Sequence, residues 1–278
     1  VGFDSLGVLD HLRWDLEAGP HGFWECLSVV AALAAVTSKI RLTTAVLNSQ
    51  FRNPALVAKM AETIDMLSEG RFTLGLGAGG GPPVEYESFG FTHDRRYSHF
   101  EEAIEIIHGL LRNGEIDFRG SYYQAPGCIL RPRGPRPSGP PIAIGAGGPK
   151  MMRLTARFAD EWNGFTLQNP TTDFFAPMLA ELAEACRDVG RDPQTLRRSI
   201  DIVVAPTGET EPLPQGFGVP IHGPPGEIAD QLAAFSGIGI SEGRTYLWPQ
   251  SIDTIEAMAP VLAELATTSA RATGSSGT

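Results

Sequence analysis

The sequence predicts an α/β fold in which parallel strands alternate with helices and close into a (β/α)8 barrel. Two observations carry that prediction. Strand-like and helix-like patterns alternate from one end of the chain to the other, giving about seven strand–helix units, each suited to a parallel sheet covered by helices. A length of 278 residues with 42% hydrophobic content suffices for one large core. A third observation concerns the start. Gly2 leads straight into the alternating run Phe3 to Leu9, the pattern of a glycine between a helix and a strand, yet no helix precedes it. The eighth unit, an opening strand and helix, is therefore expected upstream of residue 1.

The elements follow in order. A strand at about 4–9 precedes an apolar helix over 24–37, with Leu27, Val30, Ala31 and Ala34 at helical spacing. A second strand covers 40–46, and Pro54, a good first-turn residue, opens a helix to Leu67. The third strand is 72–77, followed by a long loop and a helix over 98–111 with Ile104, Ile107 and Leu111 on one stripe. Residues 112–141 break the rhythm with a possible hairpin around Phe118 to Gln124 and the run RPRGPRPSGPP. No composition change separates the halves, so this run reads as an extended loop inside one domain. Strands at 141–144, 161–165, 200–204 and 245–248 alternate with helices at 150–159, 173–189, 225–235 and 254–266. Residues 1–266 thus form a single barrel domain with an insertion at about 112–141, and the small, polar stretch 267–278 is expected to be disordered.

Composition excludes several function classes. A net charge of −10, with Lys39, Lys59 and Lys150 the only lysines, argues against a nucleic-acid surface. No window of eighteen apolar residues and no charged-then-apolar leader is present, so a soluble, cytoplasmic protein is expected. Cys26, Cys128 and Cys186 lie far apart without a C-x-x-C, and His93, His99 and His108 have no metal-ligand spacing with carboxylates. No metal is expected.

The stretch LGLGAGGG at 74–81 places Gly75, Gly77 and Gly80 in the G-x-G-x-x-G spacing of a dinucleotide turn. That fingerprint requires a helix directly after the third glycine, and Gly81-Pro82-Pro83 reads as extended chain with no helix start. Gly145-Ala146-Gly147-Gly148 has the context that the first stretch lacks, since it lies between a strand and a helix. Its backbone N–H groups and the helix dipole suit a phosphate.

Four ordered segments, GFDSLGVLDH, RNPALVAKMAETIDMLSEGRFTLGLGAGG, PPIAIGAGGPKMMRLTARFADEWN and TIEAMAPVLAEL, resemble the bacterial luciferase-like monooxygenase superfamily, closest to members that use the deazaflavin coenzyme F420. The resemblance covers nearly the whole chain and implies a (β/α)8 barrel of the luciferase-like type, here lacking its first strand and helix. It implies a cofactor ring at the barrel mouth beside Gly77, Ala78 and Gly79, and cofactor phosphate on Gly145, Ala146, Gly147 and Gly148. It implies Asp10 and His11 as the catalytic pair, with the histidine moving a proton during hydride transfer, a task its ordinary pKa suits. It also implies a non-prolyl cis peptide within 43–46, most readily between Thr44 and Ala45, under the ring. The expected cofactor is coenzyme F420, with reduced FMN and a monooxygenase reaction as the alternative. The expected partners are a small organic substrate and a second copy of the chain in a homodimer, with neither nucleic acid nor membrane. A non-catalytic flavin-binding barrel is a further alternative. One family branch carries a glutamate directly after the third-strand glycines; Gly80 stands there in this chain, and Glu85 nearby does not match residue for residue.

Overall fold

Short apolar runs bounded by charged residues or glycine become parallel strands, and the longer amphipathic runs between them become helices. The computed structural model describes residues 1–16, 19–168, 170–208 and 218–274. They group into two units, one of Asp4–Trp162 with Ala185–Leu196 and one of Val1–Phe3, Asn163–Glu184 and Arg197–Thr278. The sequence leads one to expect a single domain over 1–266.

The first unit opens with β1 (Ser5–Val8), followed by β2 (Arg13–Leu16) and β3 (Gly19–Gly22), α1 (Cys26–Val36), β4 (Arg41–Thr44), β5 (Leu47–Asn48) and α2 (Pro54–Leu67). Then come β6 (Phe72–Gly77), α3 (Pro83–Phe89), α4 (Arg96–Asn113), β7 (Glu115–Arg119), β8 (Gln124–Ile129), β9 (Ile142–Gly145) and α5 (Pro149–Phe158). Strands β1, β4, β6 and β9 lie side by side and parallel, with Ser5 opposite Arg41, Leu42 opposite Phe72 and Leu74 opposite Ile142. Helices cover this sheet, so β6 and β9 are buried almost throughout. Phe72, Leu74, Leu76, Ile142 and Ile144 have no exposed surface, and neither have Ile104, Ile106 and Trp162, so all belong to the buried core. Each such side chain stabilises the unit by roughly 1.5–3 kcal/mol.

Local chemistry sets the helix ends. The Asn53 side chain accepts from the N–H groups of Ala55 and Leu56 at 2.9 and 3.3 Å, Pro54 follows at the first helical position, and Gly114 closes α4 at φ 79°. The loop 130–141 is held by two buried carboxylates on α2. Glu62 accepts from Arg133 Nε at 2.7 Å and from the Gly134 N–H, and Asp65 pairs with Arg136.

The second unit centres on β11 (Arg197–Ala205), which is flanked in parallel by β12 (Ile221–His222) and β13 (Glu242–Leu247). β10 (Glu161–Phe165) and α6 (Thr172–Asp188) precede it in the chain, and α7 (Pro225–Gly237) and α8 (Ile252–Gly274) complete the unit. Asp201 stands opposite Arg244 in the β11–β13 register, and their side chains pair at 3.6 Å in the interior.

Several elements depart from the sequence reading. The hairpin β2–β3 lies outside the elements expected from the sequence: Arg13-Trp14-Asp15-Leu16 alternates polar and apolar residues over four positions, too short a run to stand out, and Gly19-Pro20-His21-Gly22 carries no apolar alternation. α3 does start after Gly81: Pro82 is the extended residue at φ −65°, ψ 146°, and Pro83 is a favourable first helical residue. The pre-proline restriction moved the helix start by one residue rather than forbidding it. The expected hairpin near 118–124 is the antiparallel pair β7–β8, with a register shift between Ile116 and Phe118. α8 continues to Gly274, so most of the stretch 267–278 is helical; residues 275–278 lie outside the described residues. Among the described residues, no helix is long and apolar enough to cross a membrane.

Candidate functional site

The candidate residues of the first unit gather at the C-terminal ends of β1, β4, β6 and β9, because parallel strands deliver every following loop to one edge of the sheet. The edge is organised around two carboxylates.

Asp10 follows β1 and its side chain is fully buried. Arg52 grips it with both terminal guanidinium nitrogens, Nη1 donating to Oδ2 and Nη2 to Oδ1, each at 2.8 Å, and the Asn48 N–H donates to Oδ2 at 2.8 Å. The same guanidinium reaches Glu25 at 2.5 and 3.1 Å, while the Glu25 carboxylate caps α1 through the N–H groups of Leu27 and Ser28. Burial pushes the Glu25 carboxyl up, but hydrogen bonds from Ser28 and Arg52 outweigh it and hold its pKa at about 2. Asp10 therefore serves as an anchor joining β1, the loop after β5 and the start of α1, with its oxygens directed at Arg52 and Asn48.

His11 points elsewhere. Its Nδ1 lies 3.2 and 3.3 Å from the two oxygens of Glu85, whose side chain has no exposed surface. The Leu12 N–H donates to the same carboxylate at 2.6 Å. Trp14 meets the imidazole edge to face, with ring centroids 4.9 Å apart, and Phe23 packs against it at 5.6 Å. The imidazole keeps 27% of its side-chain surface exposed, so it is held on one side and reachable on the other. The sequence reading names Glu85 as a nearby loop residue that does not match the family's glutamate; its place in the first turn of α3 stays hidden there because Gly81-Pro82-Pro83 reads as extended chain.

The peptide between Ala45 and Val46 is cis, one bond beyond the Thr44–Ala45 pair expected. The Thr44 hydroxyl donates to the Gly75 carbonyl at 2.6 Å. Val46 packs between two strands whose glycines make room for it. A Cβ on Gly77 would lie 2.7 Å from Val46 Cγ2 and one on Gly145 3.0 Å away, while a Cβ on Gly75 would overlap the Thr44 carbonyl oxygen. These glycines are thus required by the chain's own packing at residues 44–46, a reason distinct from the close approach of a ligand. Gly79, at φ 83°, has Asn48 and the Tyr86 hydroxyl directly beneath it, and Asn48 Nδ2 donates to that hydroxyl at 2.6 Å. Gly80 differs, for nothing lies within 4 Å of where its Cβ would be.

The loop after β9 places Ala146 inside, with its carbonyl accepting from Trp162 Nε1 at 3.0 Å, and leaves Gly147 and Gly148 exposed. Gly148 caps α5 without a side-chain hydrogen bond, so the first-turn N–H groups of α5 lack a side-chain acceptor there. Lys150 pairs with Glu101 at 3.3 Å. Further in, Ser49 Oγ, Gln50 Oε1 and His93 Nε2 are buried without a hydrogen-bond partner among the described residues.

Residues 1–213 match the model of a family described as luciferase-like monooxygenase. Pyrimidine monooxygenase RutA of Escherichia coli (strain SMS-3-5 / SECEC) is 36% identical over 186 residues, covering 63% of this chain and 49% of RutA. The chain thus spans about half the length of the curated relatives it matches. Coenzyme F420 dependent tetrahydromethanopterin reductase from Methanopyrus kandleri superposes with a TM-score of 0.75 at 16% identity, over 96% of this chain and 91% of that one. Monooxygenase RslO1 from Streptomyces bottropensis gives 0.77 at 18% identity, over 96% and 88%. At such identities the two structures speak for a shared fold.

Proposed function

The chain belongs to the luciferase-like monooxygenase family, and on that premise we propose that it is an oxidoreductase using a flavin-type cofactor, with coenzyme F420 and hydride transfer as the leading reading. The observation that carries it is His11, held through Nδ1 by buried Glu85 and partly exposed at the edge where the glycine loops converge. The residues present fit a flat, phosphate-bearing group. The backbone at Gly80 faces open space, and the uncapped first turn of α5 beside Gly147 and Gly148 suits an anion. In this reading Thr44, Ala45, Gly77, Ala78 and Gly79 lie under the ring, and Gly145, Ala146, Gly147 and Gly148 hold the phosphate.

When bound, a deazaflavin supplies a carbon centre that accepts or gives up a hydride. The protein's part is acid–base chemistry and positioning. As a small organic substrate loses hydride from carbon, the proton on its adjacent heteroatom passes to His11 Nε2, and the carbon–heteroatom bond becomes double. Asp10 acts through structure: clamped by Arg52, it fixes the backbone that carries His11. Trp14 and Phe23 restrict the ring and exclude water from one side of it.

A second reading, a reduced-FMN monooxygenase, is favoured by the 36% identity to an enzyme named a pyrimidine monooxygenase. Absorbance titrations with oxidised coenzyme F420 and with FMN in parallel discriminate the two. Binding of F420 alone, with His11→Ala retaining binding and losing turnover, supports hydride transfer. Binding of FMN alone selects the monooxygenase, and binding of neither by the folded protein refutes both. We also propose a cytoplasmic location and a homodimer; the exposed Val36 on α1 and Leu56 and Met66 on α2 support the dimer alone, and sedimentation at a monomer mass overturns it.

A further inference from the structure

We propose that Glu85 is a positioning residue that fixes the tautomer of His11, placing the ring hydrogen on Nδ1 and leaving Nε2 bare toward the site. The inference rests on the reading that His11 moves a proton, and it explains how that nitrogen is made ready to do so.

A carboxylate only accepts hydrogen bonds, so the ring nitrogen facing it must carry a hydrogen in both the neutral and the protonated imidazole. Nδ1 faces both Glu85 oxygens at 3.2 and 3.3 Å, which leaves Nε2 as the basic atom. The carboxylate is itself fixed. It has no exposed surface, it receives the Leu12 N–H at 2.6 Å, and it sits in the first turn of α3. Because the Leu12 N–H and the His11 ring share this acceptor, the backbone after β1 and the imidazole move as one piece. Gly81 completes the arrangement: a Cβ there would overlap Glu85 Oε2 and come within 3.5 Å of His11 Nδ1. Gly81, the last residue of the glycine-rich stretch, is a space requirement of the histidine–glutamate pair. Trp14 and Phe23 hold the ring from the side and remove the rotational freedom that would let the nitrogens exchange places.

Substitution tests this because glutamine has the same shape and a different hydrogen inventory. In Glu85→Gln the amide oxygen takes the place of Oε1, which receives the Leu12 N–H at 2.6 Å and lies 3.2 Å from Nδ1, and the amide NH2 takes the place of Oε2, 3.3 Å from Nδ1. Nδ1 then faces one acceptor and one donor instead of two acceptors, so the hold on its hydrogen weakens and the share of Nε2–H rises. Glu85→Asp keeps an acceptor-only head and is expected to retain the Nδ1–H form. The measurement is a long-range 1H–15N spectrum of histidine-labelled protein without cofactor, about two pH units above the ordinary imidazole pKa of about 6.5. His11→Ala assigns the resonances. The expected result is Nδ1–H in the natural chain and a raised share of Nε2–H in Glu85→Gln. Nε2–H in the natural chain, or an unchanged tautomer ratio in Glu85→Gln, overturns the proposal, and the natural chain alone decides should Glu85→Gln fail to fold.

The spectrum needs no cofactor, so its failure is distinct from failure of the cofactor titrations. Once a cofactor is bound, Glu85→Gln is expected to lower kcat on the order of 10²-fold with cofactor Kd unchanged, the scale of a misdirected general base. A purely structural role for Glu85 would leave the tautomer of the folded variant untouched.

Discussion

Arg52→Ala tests the anchor on which the site stands. Its guanidinium supplies two of the three hydrogen bonds to Asp10, a carboxylate whose side chain has no exposed surface. Removal leaves that charge buried with the Asn48 N–H as its remaining hydrogen bond among the described residues, a situation that costs about 3–5 kcal/mol. The contact with Glu25 adds about 1 kcal/mol at most, because Glu25 keeps 39% of its side-chain surface exposed and still caps α1. For cooperative unfolding of 278 residues at about 2.1 cal/mol/K per residue, a loss of about 3–5 kcal/mol lowers Tm by about 5–9 °C. The assay is urea unfolding with a thermal scan. Asp10→Asn in the Arg52→Ala background removes the stranded charge and is expected to restore part of the loss, which a double-mutant cycle measures. A loss below about 1 kcal/mol for Arg52→Ala, or no recovery in the double variant, refutes the anchor reasoning.

Three further predictions concern neighbouring parts of the same edge. Gly77→Ala pushes a methyl to 2.7 Å from Val46 and is expected to cost about 1–3 kcal/mol, whereas Gly80→Ala meets open space and should stay within about 0.5 kcal/mol; thermal melts of the pair decide. Glu25, held at about 2 in the folded chain against an ordinary 4.5, contributes stability that is complete above about pH 4.5 and fades as pH falls toward 2. Glu25→Gln should therefore flatten the acid limb of the stability profile in that window, and an unchanged limb counts against the pairing. Trp162→Phe strands the Ala146 carbonyl and leaves a void in the core, for an expected loss of about 2–4 kcal/mol by urea titration.

Much of this was legible beforehand where one residue type had one local consequence. Pro54 after Asn53 opened α2 where the pattern said, and the run FTLGLG became β6 with the same ends, because capping and apolar strand runs act within a few residues. The candidate site was legible as a set of loops: Asp10, His11, Gly77–Gly79 and Gly145–Gly148 all fall at strand ends on one edge. Partners were not legible. Asp10 and Arg52 are 42 positions apart and His11 and Glu85 are 74 apart, so no local pattern could tell that the aspartate faces an arginine and the histidine a glutamate. The same holds for the glycines. Their sequence context suggested room for a ligand, and the structure assigns Gly75, Gly77 and Gly145 to the packing of residues 44–46.

By itself, the sequence determined the alternation of strands and helices, the parallel arrangement that follows from it, and the family. These are consequences of apolar periodicity and of motifs read in order along the chain. Only the tertiary structure decided which carboxylate serves which partner, that Asp10 is clamped while Glu85 faces the histidine, and that a helix follows two prolines at 82 and 83. The physical reason is range. Helix and strand preferences are settled between neighbours, whereas a buried charge is settled by whichever group the folded chain brings within about 3 Å.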